Sequence, residues 1–498
     1  MGEFEALNYQ KESENACFAS ANTGKGFVSF YGEVFGKKEI VRRYLIKGGP
    51  GTGKSRFMRF VAERFAAERV GVEYYRCSSD PSSLDAIVVG GRVALIDATA
   101  PHTVEPELAG AKDEIVDLGQ FWNSRALFCR RDRIEALNST KKAAYAGAYR
   151  FLEGALALDK RSRELCAPLL KVAKMKRAAA RICADIPRGE GYRLQIGLCN
   201  CIGMSGCEHL DFYEKSAERL YVIDDYFCSA NVFLACIAEI ARERGNAIRV
   251  SYDPLNTELL DALLFEESGT AFVIGGKKTL AEYRSGENKN VFRVNMRRFV
   301  QLSDSAEDQK RKKREFNSDR RVRHGLITSA ENCLAEAGRA HFELEGIYGE
   351  CMDFEALGRF KEEFFERIRE EFLSLEDLHD RALWRMQKYR FLMRIPWQSE
   401  HHMAILCESY LLGQRKDAKN GYHRLSHVWN LDEESILPIG QVLELLGCNV
   451  KMRDLPFVPD GVYPDGEEVI FYKNPTTDTP LAQSKTPFAE NMDNKELP

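Results

Sequence analysis

The sequence predicts an α/β protein that contains two copies of one sheet-and-helix unit, each copy followed by long helices. Three observations lead to this prediction. Short apolar segments alternate with helix-like segments, later segments match earlier ones in the same order, and long stretches rich in Ala, Leu, Lys and Arg follow each copy. Apolar runs without a period of two are typical of parallel strands buried on both faces. We therefore expect two parallel sheets covered by helices.

The first copy carries its strand and helix signals in alternation. Residues 44–46 are an apolar run that predicts a buried strand, and residues 93–96 predict another that ends in Asp97. Between these strands, Phe57 and Phe65 lie on one face of a predicted helix. Residues 130–182 then have a helical pattern almost throughout.

The second copy repeats these signals in order. The matching segments are 16–19 with 194–197, 44–46 with 221–223, Asp80-Pro81 with Asp253-Pro254, and 94–96 with 272–274. A helical stretch at residues 308–371 again follows. An ordered series of matches indicates a duplication.

These patterns divide the 498 residues into five parts. The predicted parts are a leader at 1–16, the first copy with its helices at 17–187, the second at 190–373, a helical or small α+β region at 374–472, and a disordered tail at 473–498.

Composition limits the possible partners and compartments. Lys plus Arg number 71 and Asp plus Glu number 75, so no overall field attracts nucleic acid or a membrane surface. The 14 cysteines are scattered, the amino terminus has no signal-peptide pattern, and no apolar stretch is long enough to span a bilayer. We expect a cytoplasmic protein with reduced thiols.

A glycine-rich segment carries the clearest chemistry. Gly48-Gly49-Pro50-Gly51-Thr52-Gly53-Lys54-Ser55 fits the pattern G-x-x-x-x-G-K-[ST] between a predicted strand and a predicted helix. In such a loop, backbone N–H groups and the helix N-terminus surround a phosphate, Lys54 reaches the β- and γ-phosphates, and Ser55 binds Mg²⁺. The segment predicts binding of ATP or GTP with Mg²⁺.

Asp97 is the predicted second metal residue, because a strand-end carboxylate should lie beside the loop. A strand cap is the alternative role. In the second copy, residues 224–231 replace the loop without glycine or lysine, Asp224 and Asp225 would repel phosphate, and Gly275 aligns with Asp97. We expect one nucleotide per chain.

Four segments, 22–27, 47–55, 77–80 and 97–106, resemble a poorly characterised bacterial family of tandem P-loop ATPase-like proteins. The resemblance covers roughly residues 17 to 370. It implies ATP binding and tandem P-loop NTPase-type parallel sheets with long helical appendages, and it supplies no established substrate. This chain departs from the family by lacking the second phosphate loop, so its second copy is degenerate.

Hydrolysis requires a group that positions water, and Ala98 stands where many P-loop ATPases have Glu. Glu105 or His102, after the strand, are the candidates; both can equally shape the loop. Asp80 is a candidate base for a kinase acceptor, although its apparent counterpart Asp253 argues for a structural role.

Three further signals are weaker. Cys199, Cys201, Cys207 and His209 have zinc-ligand residue types without a common spacing. The basic stretch from Lys310 to Arg323 is a candidate for nucleic acid contact or a solvated helix face. Residues 439–447 with a turn at 463–467 suggest a winged helix-turn-helix or a plain apolar helix.

The predicted function is a Mg-ATP-dependent switch or ATPase that acts on a macromolecular partner. A small-molecule kinase that uses Asp80 as base and a nucleic-acid-associated ATP-binding protein are the alternatives.

Overall fold

The computed structural model describes residues 15–275, 283, 290–301, 305–392, 450–454, 461–465 and 468–473, with side chains through 373 except at 306. The chain forms two compact units, one through Phe365 and one from Glu366. The strands are β1 Ala16–Phe18, β2 Ser20–Thr23, β3 Gly26–Ser29, β4 Arg42–Lys47, β5 Val72–Arg76, β6 Leu84–Val89, β7 Val93–Asp97, β8 Asp113–Asp117, β9 Arg193–Ile196, β10 Asn200–Gly203, β11 Gly206–His209, β12 Arg219–Asp224, β13 Ala247–Tyr252, β14 Leu260–Phe265, β15 Thr270–Ile274, β16 Asn290–Asn295, β17 Val450–Asp454, β18 Gly461–Asp465 and β19 Glu468–Lys473. The helices are α1 Tyr31–Phe35, α2 Lys54–Ala67, α3 Ser124–Phe128, α4 Arg131–Cys166, α5 Val172–Ile182, α6 Phe212–Ser216, α7 Ser229–Glu243, α8 Ala306–Gly349 and α9 Phe354–Leu392.

The first unit contains two six-stranded sheets with one topology. The first copy has the order β1-β5-β6-β7-β4-β8, and the second has the order β9-β13-β14-β15-β12-β16. Each strand therefore occupies the place of its counterpart in the other sheet. The shared order is compatible with the tandem arrangement predicted from the sequence.

The prediction of parallel sheets was wrong for one strand in each copy. β6 runs antiparallel to both β5 and β7, and β14 runs antiparallel to both β13 and β15. A three-residue turn joins β6 to β7 through Gly90 and Gly91, which have φ values of 55° and 69°. Such a turn makes a hairpin, whereas a parallel pair requires a crossover of a dozen or more residues.

The strand registers also correct the alignment between the copies. Asp97 pairs with Ile46, and Ile274 pairs with Ile223, so the counterpart of Asp97 is Ile274 rather than Gly275. The second copy therefore has no carboxylate at the position of Asp97.

The loop after the second parallel strand has seven residues in each copy, from Cys77 to Ser83 and from Asp253 to Leu259. The Cys77 N–H donates to the Ser83 carbonyl at 3.0 Å, and the Asp253 N–H donates to the Leu259 carbonyl at 2.9 Å. Cys77 and Asp253 are therefore equivalent. Three residues further on, the counterpart of Asp80 is Asn256, so the match with Asp253 was wrong.

The long helices α4 and α8 lie antiparallel against each other. Ile134 and Leu137 of α4 pack against Ala340 and Leu344 of α8. Further along the pair, the packed residues are Ala148, Leu152, Ala155, Leu156, Ala330 and Leu334. The apolar residues of the two long helical stretches therefore pack against each other along the helix pair.

The two copies exchange the helices that follow this pair. α5, from the first copy, packs against α7 of the second, and Lys176 Nζ lies 2.9 Å from Glu239 Oε2. The beginning of α9, from the second copy, packs against α2 of the first, with the Phe57 and Phe364 ring centroids 5.1 Å apart. Helices from each copy thus complete the core of the other.

The second unit contains a three-stranded sheet in the order β17-β19-β18. β18 and β19 pair antiparallel, so residues 463–465 of the predicted turn belong to β18, and residues 466–467 lie outside the described residues. The leader through residue 14, the predicted helix at 439–447 and the tail after residue 473 lie outside the described residues.

Candidate nucleotide-binding site

The glycine-rich segment lies between β4, which ends at Lys47, and α2, which begins at Lys54. Gly51 and Gly53 have φ values of 70° and 80°, a region that favours glycine. Lys54 Nζ donates to the carbonyl oxygens of Gly48 and Gly49, each at 2.9 Å. The lysine is therefore held over its own loop, at the N-terminus of a fourteen-residue helix.

Asp97 lies next to this lysine because β7 and β4 are neighbouring parallel strands. Asp97 Oδ2 is 3.6 Å from Lys54 Nζ, and Asp97 Oδ1 accepts a hydrogen bond from the Thr99 N–H at 2.9 Å. The Ser55 hydroxyl oxygen accepts hydrogen bonds from the Leu84 N–H at 3.0 Å and from Arg59 Nη1 at 2.8 Å. One carboxylate oxygen thus faces the loop, while the serine is engaged with β6.

The chemistry of these residues fits a nucleoside triphosphate bound to Mg²⁺. The loop offers backbone N–H groups and one ammonium group to phosphate, and Ser55 and Asp97 offer the oxygen ligands that Mg²⁺ prefers. Ser55 would need to release its two hydrogen bonds before it could bind a metal ion. When bound, the metal ion would neutralise charge on the transferred phosphoryl group.

The helix α8 lies against the loop. A Cβ atom added to Gly51 would lie 2.3 Å from the Glu345 carbonyl oxygen of α8, so only glycine fits here. Burial and the Asp80 charge raise the pKa of Glu345, while the Lys54 charge acts against that rise. Glu345 therefore lies against the loop at a residue whose backbone a phosphate would approach.

His341, one turn before Glu345, shares this environment. Its Nε2 atom is 3.5 Å from Glu345 Oε1. Burial, together with the positive charges of Lys141 and Lys54, lowers the pKa of His341 to about 4. Sequence reasoning missed Glu345 and His341 because no local motif marks a helix that arrives from the other copy.

Glu105 lies on the loop after β7 and is held by Lys47. Lys47 Nζ is 2.8 Å from Glu105 Oε1 and also donates to the carbonyl oxygens of Ala98 and Val104, each at 3.0 Å. The Glu105 side chain is 68% exposed. Since Lys47 directly precedes the glycine-rich segment, this contact holds Glu105 near the carboxyl edge of the sheet.

His102 is buried, with 7% of its surface exposed, and it does not lie open at the sheet edge. Its Nε2 atom is 3.2 Å from Asp85 Oδ2, and its ring stacks on Tyr31 with the centroids 4.9 Å apart. Burial raises the pKa of Asp85. The ligand atoms of Cys77, Asp85 and His102 lie within 4.8 Å of one another, which is a donor set that could hold a transition metal.

We expect His102→Ala to destabilise the fold, because it leaves the buried Asp85 carboxyl group without its ring partner. The free energy of unfolding should fall by about 1–3 kcal/mol, as is usual when a buried polar group loses its partner. Urea unfolding checks this result. Glu105→Gln, which changes an exposed side chain, is the control, and its free energy of unfolding should stay within about 0.5 kcal/mol of the wild-type value. Equal stability of the two variants would refute the structural role.

Asp80 makes a local turn that its counterpart reproduces. Asp80 Oδ1 accepts a hydrogen bond from the Ser82 N–H at 3.1 Å, and Asn256 Oδ1 accepts one from the Glu258 N–H at 3.3 Å. The turn therefore needs a side-chain oxygen but no charge. Aspartate occurs in the copy that has the glycine-rich loop, so the comparison no longer argues against a chemical role for Asp80.

The corresponding loop of the second copy is two residues shorter and supplies its own anion. Only residues 225–228 separate β12 from α7. Asp225 Oδ1 accepts a hydrogen bond from the Ala230 N–H at 2.9 Å, and Asp224 pairs with Arg293. A carboxylate thus takes the place at the helix N-terminus where a phosphate would bind.

The four residues with zinc-ligand types do not come together. Cys201 pairs with Glu208 and Cys207 pairs with Ile202 in the β10–β11 hairpin, so the two cysteines face opposite sides. His209 instead contacts Asn200 and Glu214, each at 2.8 Å.

Comparisons of the chain with protein-family models, curated proteins and solved structures found no match. Among the residues that the structure describes, none of the helices is both long and apolar enough to cross a bilayer.

Proposed function

We propose that this protein binds Mg-ATP at residues 48–55 and hydrolyses it as a switch that acts on a macromolecular partner. The observation that carries the proposal is the position of Lys54, which lies on a glycine-rich loop and beside Asp97, with a helix of the other copy in contact with the loop. The same observation supports one nucleotide per chain, because the second copy lacks both groups.

Each residue has a distinct role in this proposal. Lys54 neutralises phosphate charge, Ser55 and Asp97 hold Mg²⁺, and Glu105 orients the attacking water. In this proposal no residue of the protein forms a covalent bond to the phosphoryl group. ATP is proposed over GTP because of the family resemblance.

The helix α8 provides the switch. The Glu345 backbone of α8 lies against Gly51 of the loop, so a nucleotide that enters the loop changes the contact between α8 and the loop. Because α8 is packed along α4 and joins the second copy, a shift at Glu345 moves a rigid helix pair.

A small-molecule kinase is the second candidate, and Asp80 is the observation that favours it. Its counterpart in the degenerate copy is Asn256, which keeps the turn and lacks the charge. A carboxylate confined to the copy with the phosphate loop is what a base for an acceptor hydroxyl would require.

Asp97→Asn tests the metal site. We expect this variant to weaken nucleotide binding at least about tenfold with Mg²⁺ and much less in EDTA, since the carboxylate acts on the metal ion. Calorimetric titration of a non-hydrolysable ATP analogue measures both affinities. Equal weakening in the two conditions would assign Asp97 to the strand end alone.

A further inference from the structure

A basic groove lies on α8 next to the shortened loop of the second copy. Two adjoining cavities of about 340 and 590 Å³ share Asn317, Arg320 and Arg323 as lining residues. The first cavity also touches residues 225–228, and the second extends along the helix to Ile327. We call this feature the α8 groove.

The charges of the α8 groove are mostly uncompensated. Lys313, Arg320 and Arg321 make no hydrogen bond or ion pair with another described residue, while Arg323 pairs with Asp159. The one carboxylate in the lining, Asp225, already accepts the Ala230 N–H at the start of α7. The groove therefore presents at least three cationic groups without a partner to any anion that enters it.

Packed apolar side chains form the base of the α8 groove. The Phe227 and Phe316 rings are stacked with their centroids 4.6 Å apart. Both rings contact a small apolar cluster that includes Cys166 and Leu169 at the end of the first long helix. Cationic side chains above a packed apolar base form a fixed recess, which differs from a run of charges on an isolated helix.

We propose that the α8 groove binds the phosphate backbone of a single-stranded nucleic acid. From Lys313 to His324 the helix rises about 17 Å, which is longer than a single phosphate group and suits several consecutive phosphates. A single strand is favoured over a duplex because its flexible backbone can follow cations along a recess of this volume. The proposal does not depend on ATP hydrolysis.

One helix connects the groove with the glycine-rich loop. Arg323 and Glu345 are separated by 22 residues of α8, or about 33 Å along a continuous helix. A strand bound at Arg320 and a nucleotide bound at Lys54 would therefore contact the same rigid element. If the proposed switch operates, single-stranded nucleic acid is therefore its partner class.

The test is fluorescence anisotropy of a labelled single-stranded RNA oligonucleotide with the full chain. Arg320→Ala combined with Arg321→Ala should weaken binding at least about tenfold and reduce the salt slope by about 1.4, the value for two lost contacts to a single strand. The matched control is Lys310→Ala combined with Arg314→Ala, which removes two charges of the same helix outside the groove lining. This control should change the affinity less than about threefold.

Three results would overturn the proposal: no oligonucleotide binding at low salt, equal weakening by both double variants, or complete competition by a mononucleotide at the oligonucleotide's own concentration. The last result would assign the groove to a single phosphate group.

Lys54→Ala should bind the oligonucleotide as wild type does. A failure of the nucleic acid proposal is therefore distinguishable from a failure of the proposed ATP site. Thermal melting confirms that each variant is folded.

Discussion

Lys54→Ala is expected to remove most Mg-ATP binding and leave the fold intact. Loss of one partner of a buried charge pair costs about 2–5 kcal/mol, so the affinity should fall at least about thirtyfold. The fold should persist because the carbonyl groups that accept hydrogen bonds from Lys54 Nζ, those of Gly48 and Gly49, belong to its own loop, and Asp97 keeps the hydrogen bond from the Thr99 N–H. Calorimetric titration with a non-hydrolysable analogue measures the change, and the wild-type stoichiometry should be near one.

Arg56→Ala is the matched control for Lys54→Ala. Arg56 is an exposed cation in the same first turn of α2. Its removal changes the local field by one charge without removing a phosphate contact, so the affinity should change less than about threefold. A second nucleotide site that survives Lys54→Ala and disappears on substitution of Asp225 would contradict the single-site proposal.

Glu105→Gln is expected to slow ATP hydrolysis with little effect on nucleotide affinity. A group that positions the attacking water typically contributes roughly 10²- to 10⁴-fold, so turnover should fall at least about tenfold. Glu107→Gln, on the same loop, is the control; its carboxylate lies 3.3 Å from Arg43 Nη2 and away from Lys47. Steady-state phosphate release measures both variants, and unchanged turnover in Glu105→Gln would remove Glu105 from the mechanism.

Asp80→Asn separates the ATPase from the kinase. Since Asn256 makes the equivalent turn with its side-chain amide, this variant should keep the wild-type melting temperature. The ATPase proposal expects nearly unchanged hydrolysis per molecule. A stable Asp80→Asn protein that has lost phosphoryl transfer would instead establish the kinase.

Local sequence was sufficient for the features that depend on neighbouring residues. The glycine-rich segment was placed between a strand and a helix because its motif consists of consecutive residues. The glycines allow positive φ values, and the start of the helix follows directly. Asp97 was placed at the end of its strand for the same reason, since an apolar run determines where a buried strand stops. The long helices were predicted from stretches rich in Ala, Leu, Lys and Arg, residues that favour a helix.

Alignment of the two copies was less reliable, because short turns tolerate different residues at equivalent places. The Asp-Pro pairs at 80–81 and 253–254 look alike, yet they occupy different positions in loops of equal length. Only the hydrogen bonds across each loop identify Asn256 as the counterpart of Asp80. The antiparallel direction of β6 was likewise missed, because strand direction depends on the turns at both ends.

The sequence by itself predicted two matching α/β copies, and it placed the glycine-rich segment in the first copy and not in the second. Tertiary structure alone decided that His102 is buried against Asp85, that Glu345 reaches Gly51, and that the two copies exchange helices. The physical reason is that these contacts join residues far apart in the chain. Which apolar face covers which sheet depends on how the helix pair α4 and α8 crosses both copies, and no local pattern encodes that choice.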